Sequence, residues 1–192
     1  MNNIFSSQTF NLLITCGDIL FGKYHSISVN QARYATLIVA KYLDTATVKL
    51  SNKLYKTTFP DYMIITKEDV STSDEQVDKL NRDYIYYTAC KGSLIYLLST
   101  RVHLSFSVHK LAKFSANPGK VHFEGLIHFL GYIRDNKTLV LKYYADLNDA
   151  PVTDILRQAN IKIKNHLIDF SDSSWQDCPE TGRSTGAYII FY

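Results

Sequence analysis

The sequence predicts an α+β fold with an N-terminal hairpin and extended connector, a three-helix bundle, and a partial antiparallel sheet. Apolar residues recur at helical spacing between residues 84 and 134, whereas residues 138–144, 166–171 and 186–192 are short strand-like runs. With 192 residues, of which 46% are hydrophobic and 20% charged, the chain is long enough to bury about 70% of its unfolded surface. This composition excludes a disordered or low-complexity chain.

The first fifty residues predict a hairpin followed by a helix. Residues 11–15 and 19–28 have strand length and composition, and Gly17-Asp18 between them suits a tight turn. A helix is expected from Gln31 to Tyr42, with Ser28 or Asn30 as its cap. The face that we expect this helix to bury carries Tyr34, Leu37, Ile38 and Tyr42.

Residues 44–83 predict an extended connector. They are rich in Thr, Ser, Asp and Lys and are interrupted by Pro60, and at most a short helix is expected to begin at Ser73–Gln76. Forty residues are long for a loop inside a compact domain. Either the connector packs along a larger body, or part of that body is missing from the chain.

Three consecutive helices are predicted next, over Tyr87–Leu98, Leu104–Phe114 and Val121–Arg134. The second buries a stripe at i, i+4 and i+7, and Lys110 and Lys113 lie away from it. Asn117-Pro118-Gly119 ends that helix. Gly92-Ser93 in the first helix is expected to allow close approach of a neighbour. The buried stripe of the second helix consists of Leu104, Val108 and Leu111, and that of the third consists of Phe123, Leu126, Ile127, Leu130 and Ile133.

The hydrophobic period changes after residue 137. Strands are expected at Thr138–Tyr144, His166–Ser171 and Gly186–Tyr192, with a short helix at Val152–Ala159. The last two strands are expected to form an antiparallel pair. Because an apolar strand at the very end of a chain would be an aggregation-prone edge, we expect the sequence to be a piece of a longer one.

Charge is distributed unevenly along the chain. The net charge is +3, but residues 101–164 hold ten Lys/Arg against five Asp/Glu, and residues 165–192 hold one against four. A basic segment of this kind suits a surface that faces phosphates, and it is equally typical of an ordinary solvated surface. Both interpretations stay open on charge alone.

Several classes of protein are excluded by what the sequence lacks. There is no apolar run of the ~20 residues that a membrane span needs and no secretory signal, so we expect no membrane association. Three widely separated cysteines favour a reducing compartment, hence an intracellular protein of the cytoplasm or nucleus. No Cys-x-x-Cys or His-x-x-x-His pair indicates zinc, and no Gly-rich phosphate loop or Gly-x-Ser-x-Gly turn occurs.

Four segments, in one order and at consistent spacing, carry a family resemblance. They are Ile27–Tyr34 ("ISLSQxxYI"), Lys91–Arg101 ("GSLxYL…TR"), Phe114–Glu124 ("SNPGKxHWE"), and Phe170–Trp175 with Thr181–Tyr188 ("YSDxDWAGD…TRRSTSGY"). Together they resemble the polymerases of copia-type retrotransposons over roughly residues 20–192. The family has Arg-Pro-Asp-Ile where this chain has Arg101 to Leu104, so the Pro and Asp that begin the second helix are absent.

The resemblance implies the domain organisation. Residues 1–83 would be the end of the polymerase palm with its hairpin, helix and connector, and residues 84–135 the helical thumb. Residues 136–165 would be the connection, and residues 166–192 the truncated start of a ribonuclease H-like fold. The chain would then be a fragment of a reverse transcriptase and ribonuclease H, that is, of an RNA-directed DNA polymerase.

The same resemblance implies that the catalytic sites are incomplete. The family's polymerase binds two Mg²⁺ with palm carboxylates, including a "YVDD" turn that this sequence lacks. Asp172 matches the first metal-binding carboxylate of the ribonuclease H, which needs about four. One carboxylate cannot hold two Mg²⁺, so we expect no catalysis and no bound cofactor for this chain alone, with Mg²⁺ belonging to the intact parent. From the residues alone, Asp172 is a turn-capping or solvated side chain.

The expected partner is the backbone of an RNA–DNA hybrid, bound weakly and without sequence preference. The resemblance favours phosphate contacts by Arg101, Lys110, Lys113 and Lys120, although exposed lysines on helices often serve only solubility. A domesticated structural or protein-interaction module is the alternative function. A chain with no stable fold is the third interpretation.

Overall fold

A computed structural model describes residues 18–21, 26–44, 53–60, 65–144, 154, 157–158, 168–173, 184 and 186–191. The fold is α+β, and the chain divides into two compact units, Met1–Tyr143 and Tyr144–Tyr192. The first unit contains, in order, β1 (Asp18–Phe21), β2 (Ile27–Asn30), α1 (Ala32–Val39), α2 (Asp74–Asp83), α3 (Tyr87–Leu97), α4 (Ser105–Ala112), α5 (Lys120–Asp135) and β3 (Leu141–Tyr143). The second contains β4 (Ile168–Ser173) and β5 (Gly186–Phe191).

The N-terminal hairpin is present, but with different strands from those predicted. Asp18 belongs to β1 and lies opposite Asn30, so the two strands flank residues 22–25 rather than the predicted turn at Gly17-Asp18. The predicted strand over residues 11–15 lies outside the described residues, as does Gly17. Strand β3 pairs with the other side of β2, in an antiparallel sheet of order β1-β2-β3. The segment after α5 therefore returns to the N-terminal hairpin.

Helix α1 begins at an Asn cap, as the sequence predicts. Asn30 Oδ1 accepts a hydrogen bond from the backbone N–H of Ala32 at 3.0 Å. Ala35 and Ile38 form the buried stripe that packs against α3 and α5. Leu37, predicted to be buried, is 57% exposed, because it lies about 100° around the helix from Ile38.

The three predicted bundle helices are confirmed, and α1 packs with them. Every residue of the apolar stripes predicted for the second and third helices is buried. Close approach at Gly92 is a wrong prediction, since a Cβ at this exposed position would meet no atom within 4 Å. Contact is made by its neighbour instead, because Ser93 Oγ lies 3.1 Å from the hydroxyl of Tyr42.

The connector contains a longer helix than predicted. Helix α2 runs for ten residues from Asp74, and Ser73 Oγ accepts a hydrogen bond from the backbone N–H of Gln76 at 3.3 Å. Asp74 and Glu75 in its first turn favour the positive end of the helix dipole. The helix buries no residue completely, so its apolar pattern is too weak to predict its length.

The remainder of the connector packs on the bundle, the first of the two arrangements considered above. The backbone N–H of Tyr55 donates to Asp135 Oδ2 at 2.7 Å near the end of α5. Ser107 Oγ on α4 donates to Thr58 Oγ1 at 2.6 Å. The ring of Phe59 stacks on that of a buried α5 phenylalanine with centroids 6.4 Å apart. Residues 53–60 therefore lie along both α4 and α5.

A second attachment is formed by the Asn-Pro-Gly loop before α5. Ser71 donates from its backbone N–H to the Asn117 carbonyl at 3.2 Å, and from its hydroxyl to the Pro118 carbonyl at 2.8 Å. The backbone N–H of Gly119 donates to Nδ1 of the buried His122 at 2.9 Å, which satisfies a free amide at the start of the helix. Burial lowers the pKa of His122. These contacts join residues 65–71 to the start of α5.

The second unit contains the antiparallel pair that the sequence predicts. Strands β4 and β5 pair over six residues each, with Ile168 opposite Phe191 and Ser173 opposite Gly186. Of the short helix predicted at Val152–Ala159, the described residues 154, 157 and 158 are helical.

None of the helices in the described part of the chain has the length and apolar character needed to cross a membrane.

Two glycines give a matched test of this packing. A Cβ at Gly119 would collide with the carbonyl oxygen of Asp69, so Gly119→Ala should lower the free energy of unfolding by about 2 kcal/mol or more. Gly92→Ala, in the exposed middle of α3, should raise it by ~0.5–1 kcal/mol, because alanine is the better helix former. Urea unfolding followed by circular dichroism measures both. Equal effects of the two substitutions would contradict the described loop.

Candidate nucleic-acid interface

Arg101 lies inside the bundle and not on its surface. The residue is 1% exposed, and its Nη1 donates to the carbonyl oxygen of Asn136 at 2.7 Å while Nη2 donates to that of Lys137. These carbonyls follow the last turn of α5, where the helix dipole is negative and backbone acceptors lack helical partners. Burial lowers the pKa of Arg101, but an arginine remains charged at neutral pH. The phosphate contact expected for Arg101 is therefore corrected to a structural contact with the end of α5.

The residue before Arg101 fixes the other side of the same turn. Thr100 Oγ1 donates to Oε1 of the buried Gln31 at 2.7 Å. Since Gln31 precedes α1, the Thr100-Arg101 pair connects the start of α1 to the end of α5. A 3₁₀ turn over Val102–Leu104 then leads into α4, whose N-terminus has no side-chain cap. This matches the expectation that the start of the second helix lacks the usual cap residues.

Lys120 is exposed at the first position of α5. Its Nζ lies 3.6 Å from Oε1 of Glu124, one turn further along the helix. Because both side chains are solvated, this ion pair stabilises the helix little. The carboxylate nevertheless offsets the positive charge that Lys120 offers to an anion.

Lys110 and Lys113 lie together on one exposed face. We call the outer face of α4 the surface formed by His103, Phe106, His109, Lys110 and Lys113. These positions are three or four residues apart along the helix, and all are exposed except the half-buried Lys110. The opposite face of the helix is buried in the core. Two of the four residues expected to contact phosphate are thus brought together.

Neighbouring groups orient two side chains of this face. Lys110 Nζ lies 5.6 Å from the ring centroid of Phe59, close enough for a cation–π contact. His109 Nδ1 lies 2.7 Å from the carbonyl oxygen of Ser105, so the Nδ1–H donates there and Nε2 is left for other partners. Burial and then the nearby Arg101 lower the pKa of His103, which is therefore neutral at pH 7.

The outer face has no acidic neighbours in sequence. Residues 84–123, forty in succession, contain no Asp or Glu, and they include Lys91, Lys110, Lys113 and Lys120. No carboxylate on α3 or α4 therefore repels an approaching anion. A surface of this kind attracts phosphates without selecting a base sequence.

Asp172 is located only by its backbone. It lies in β4 opposite Ala187 of β5, and its side chain is outside the description. In the described part of the chain, no three His, Cys, Asp or Glu side chains converge as a metal site would require. The implied metal-binding role of Asp172 therefore remains a prediction.

Two members of the outer face were not identified from the sequence. Phe106 is 65% exposed and His109 is exposed as well, beside the two predicted lysines. The signal that could have found them is the helical wheel: placing Lys110 and Lys113 away from the buried stripe places Phe106 with them.

The structural assignment of Arg101 predicts an effect on stability without an effect on binding. Arg101→Ala should lower the free energy of unfolding by about 3 kcal/mol, since it leaves two helix-end carbonyls without their charged donor. Lys113→Ala, at an exposed position on α4, should change it by less than ~0.5 kcal/mol. Chemical unfolding measures both. An Arg101→Ala variant of normal stability would show that this contact does not support the bundle.

Comparisons with known proteins return no relative for this chain. No family model, no curated protein and no solved structure matches it. The resemblance to copia-type polymerases therefore rests on the sequence segments themselves.

Proposed function

We propose that this chain is the thumb-and-connection part of a copia-type reverse transcriptase, running into the start of its ribonuclease H. We propose further that it binds RNA–DNA hybrids through their phosphates, weakly, without sequence preference and without catalysis. The outer face of α4 carries this proposal, because it presents two lysines free of acidic neighbours.

The architecture supports the first part of the proposal. Helices occur where the resemblance places the thumb, at Tyr87–Leu97, Ser105–Ala112 and Lys120–Asp135. An antiparallel strand pair occurs where it places the first ribonuclease H strands. The resembling segments also have structural roles here, since the Thr-Arg and Asn-Pro-Gly elements join the helices to one another and to the connector.

The strength of binding follows from the number of cations. Two lysines with one adjacent histidine can neutralise only a few phosphates, so we expect a dissociation constant on the order of 10–100 μM at physiological salt. Binding should weaken steeply as salt rises, because condensed counterions are released on association. Base identity should matter little, since phosphate contacts carry no sequence information.

Catalysis is left out of the proposal for a chemical reason. Phosphodiester chemistry of this family uses two Mg²⁺ held by several carboxylates, and the resemblance assigns only Asp172 to such a cluster. In an intact parent enzyme Asp172 would contribute one of the ligands. With a single matched carboxylate, the chain would hold the duplex without cleaving or extending it.

The proposal predicts that neutralising two lysines weakens binding. Lys110→Gln with Lys113→Gln should raise the dissociation constant for a short RNA–DNA hybrid about tenfold at low salt, because two phosphate contacts are lost. The control is Lys79→Gln with Arg82→Gln on α2, which removes the same charge from exposed positions beside acidic residues. Fluorescence anisotropy measures both affinities, and circular dichroism checks the fold.

The control separates a local interface from a general effect of net charge. If both double variants lose affinity equally, the outer face of α4 is not the binding surface. If neither the native chain nor any variant binds the hybrid in low salt, the proposed nucleic-acid function is wrong.

A protein-interaction module is the second candidate function. Leu37 on α1 and Ile95 on α3 are 57% and 47% exposed, and apolar side chains of this size are common at protein contacts. Stable co-purification with a protein partner, by a chain with no affinity for nucleic acid, would favour this function over the first.

A further inference from the structure

We infer that Phe106 is a stacking platform for an unpaired base, so that the outer face of α4 prefers a strand that leaves the duplex over the duplex alone. This inference rests on the proposed nucleic-acid function and specifies which nucleic acid the same face takes. It begins from an aromatic ring that the fold leaves in solvent.

The exposure of Phe106 contrasts with its neighbours on the helix. Leu104 and Val108, two residues away on either side, are buried, whereas Phe106 is 65% exposed. Because side chains three and four positions apart share a helix face, the ring lies beside His109 and Lys110. Lys113, at i+7, extends the same row by a further turn.

The surroundings of the ring favour a nucleic acid over a protein as its occupant. A protein interface has an apolar centre depleted of charge, whereas Phe106 is surrounded by basic and imidazole side chains. The absence of acids from residues 84–123 makes the face complementary to an anion. An anion with flat aromatic groups along its length is single-stranded RNA or DNA.

A duplex alone does not explain the ring. Paired bases are stacked on one another and offer their faces to no side chain, whereas an unpaired base can stack on a phenylalanine. The lysines can contact phosphates on either side of such a base. His109 is held in place by its hydrogen bond to the Ser105 carbonyl, and it adds a second flat group next to the ring.

The experiment compares three probes by fluorescence anisotropy. They are a blunt RNA–DNA hybrid, the same hybrid with a short single-stranded overhang, and the same hybrid with an abasic overhang of equal length. The two overhangs carry equal numbers of phosphates and differ only in their bases. The native chain should bind the overhang with bases about fivefold or more tightly than the abasic one, since stacking strengthens binding at each base.

Two substitutions test whether Phe106 is responsible. Phe106→Leu keeps an apolar side chain of similar size and should remove the preference for bases, while affinity for the blunt hybrid stays unchanged. Phe106→Tyr keeps a ring and should retain the preference. Because position 106 is exposed, neither substitution should disturb the core.

Each outcome decides the inference separately from the proposed function. Equal affinity for the two overhangs, or a preference that survives Phe106→Leu, would overturn the stacking role while leaving salt-sensitive hybrid binding intact. Failure of all three probes to bind would overturn the proposed function and the stacking role together. Loss of binding to an acidic protein in Phe106→Leu, with nucleic-acid affinity unchanged, would assign the ring to a protein contact.

Discussion

The bundle depends on a guanidinium group that never reaches its surface. Arg101 crosses the interior and donates to the carbonyl oxygens of Asn136 and Lys137 just beyond the end of α5. A buried cation is unfavourable unless its donors are used, and the negative end of a helix supplies suitable acceptors. Because Arg101 also lies between α3 and α4, this contact sets where α4 begins and where the chain turns back toward β3.

The position of α4 determines the candidate interface. One side of the helix is buried through Leu104, Val108 and Leu111, so the remaining side must face solvent. Residues 53–60 cover part of the helix and place Phe59 beneath Lys110. What is left exposed is basic and contains one aromatic ring. The elements by which the chain resembles a polymerase thus serve to build the bundle, and nucleic-acid binding is assigned to side chains between those elements.

The sequence predicted elements better than it predicted the direction of individual side chains. Strong periodicity gave the three bundle helices and the exposure of Lys113, because a buried stripe defines its opposite face. Helix α2 was underestimated, since a helix that buries nothing completely lacks that signal. Arg101 was misjudged because its acceptors lie 35 residues away in sequence, a distance that no local pattern encodes. Phe106 was overlooked because apolar residues are assumed to lie inside.

Amide chemical-shift mapping during titration with a short RNA–DNA hybrid tests the central claim most directly, because it locates the surface without altering it. The account predicts that the largest shifts occur between Val102 and Phe114, with small changes in α2 and no comparable changes in β4 and β5. It would be contradicted by shifts concentrated in α2 or in the β4–β5 pair, or by a spectrum that the hybrid leaves unchanged at saturating concentration.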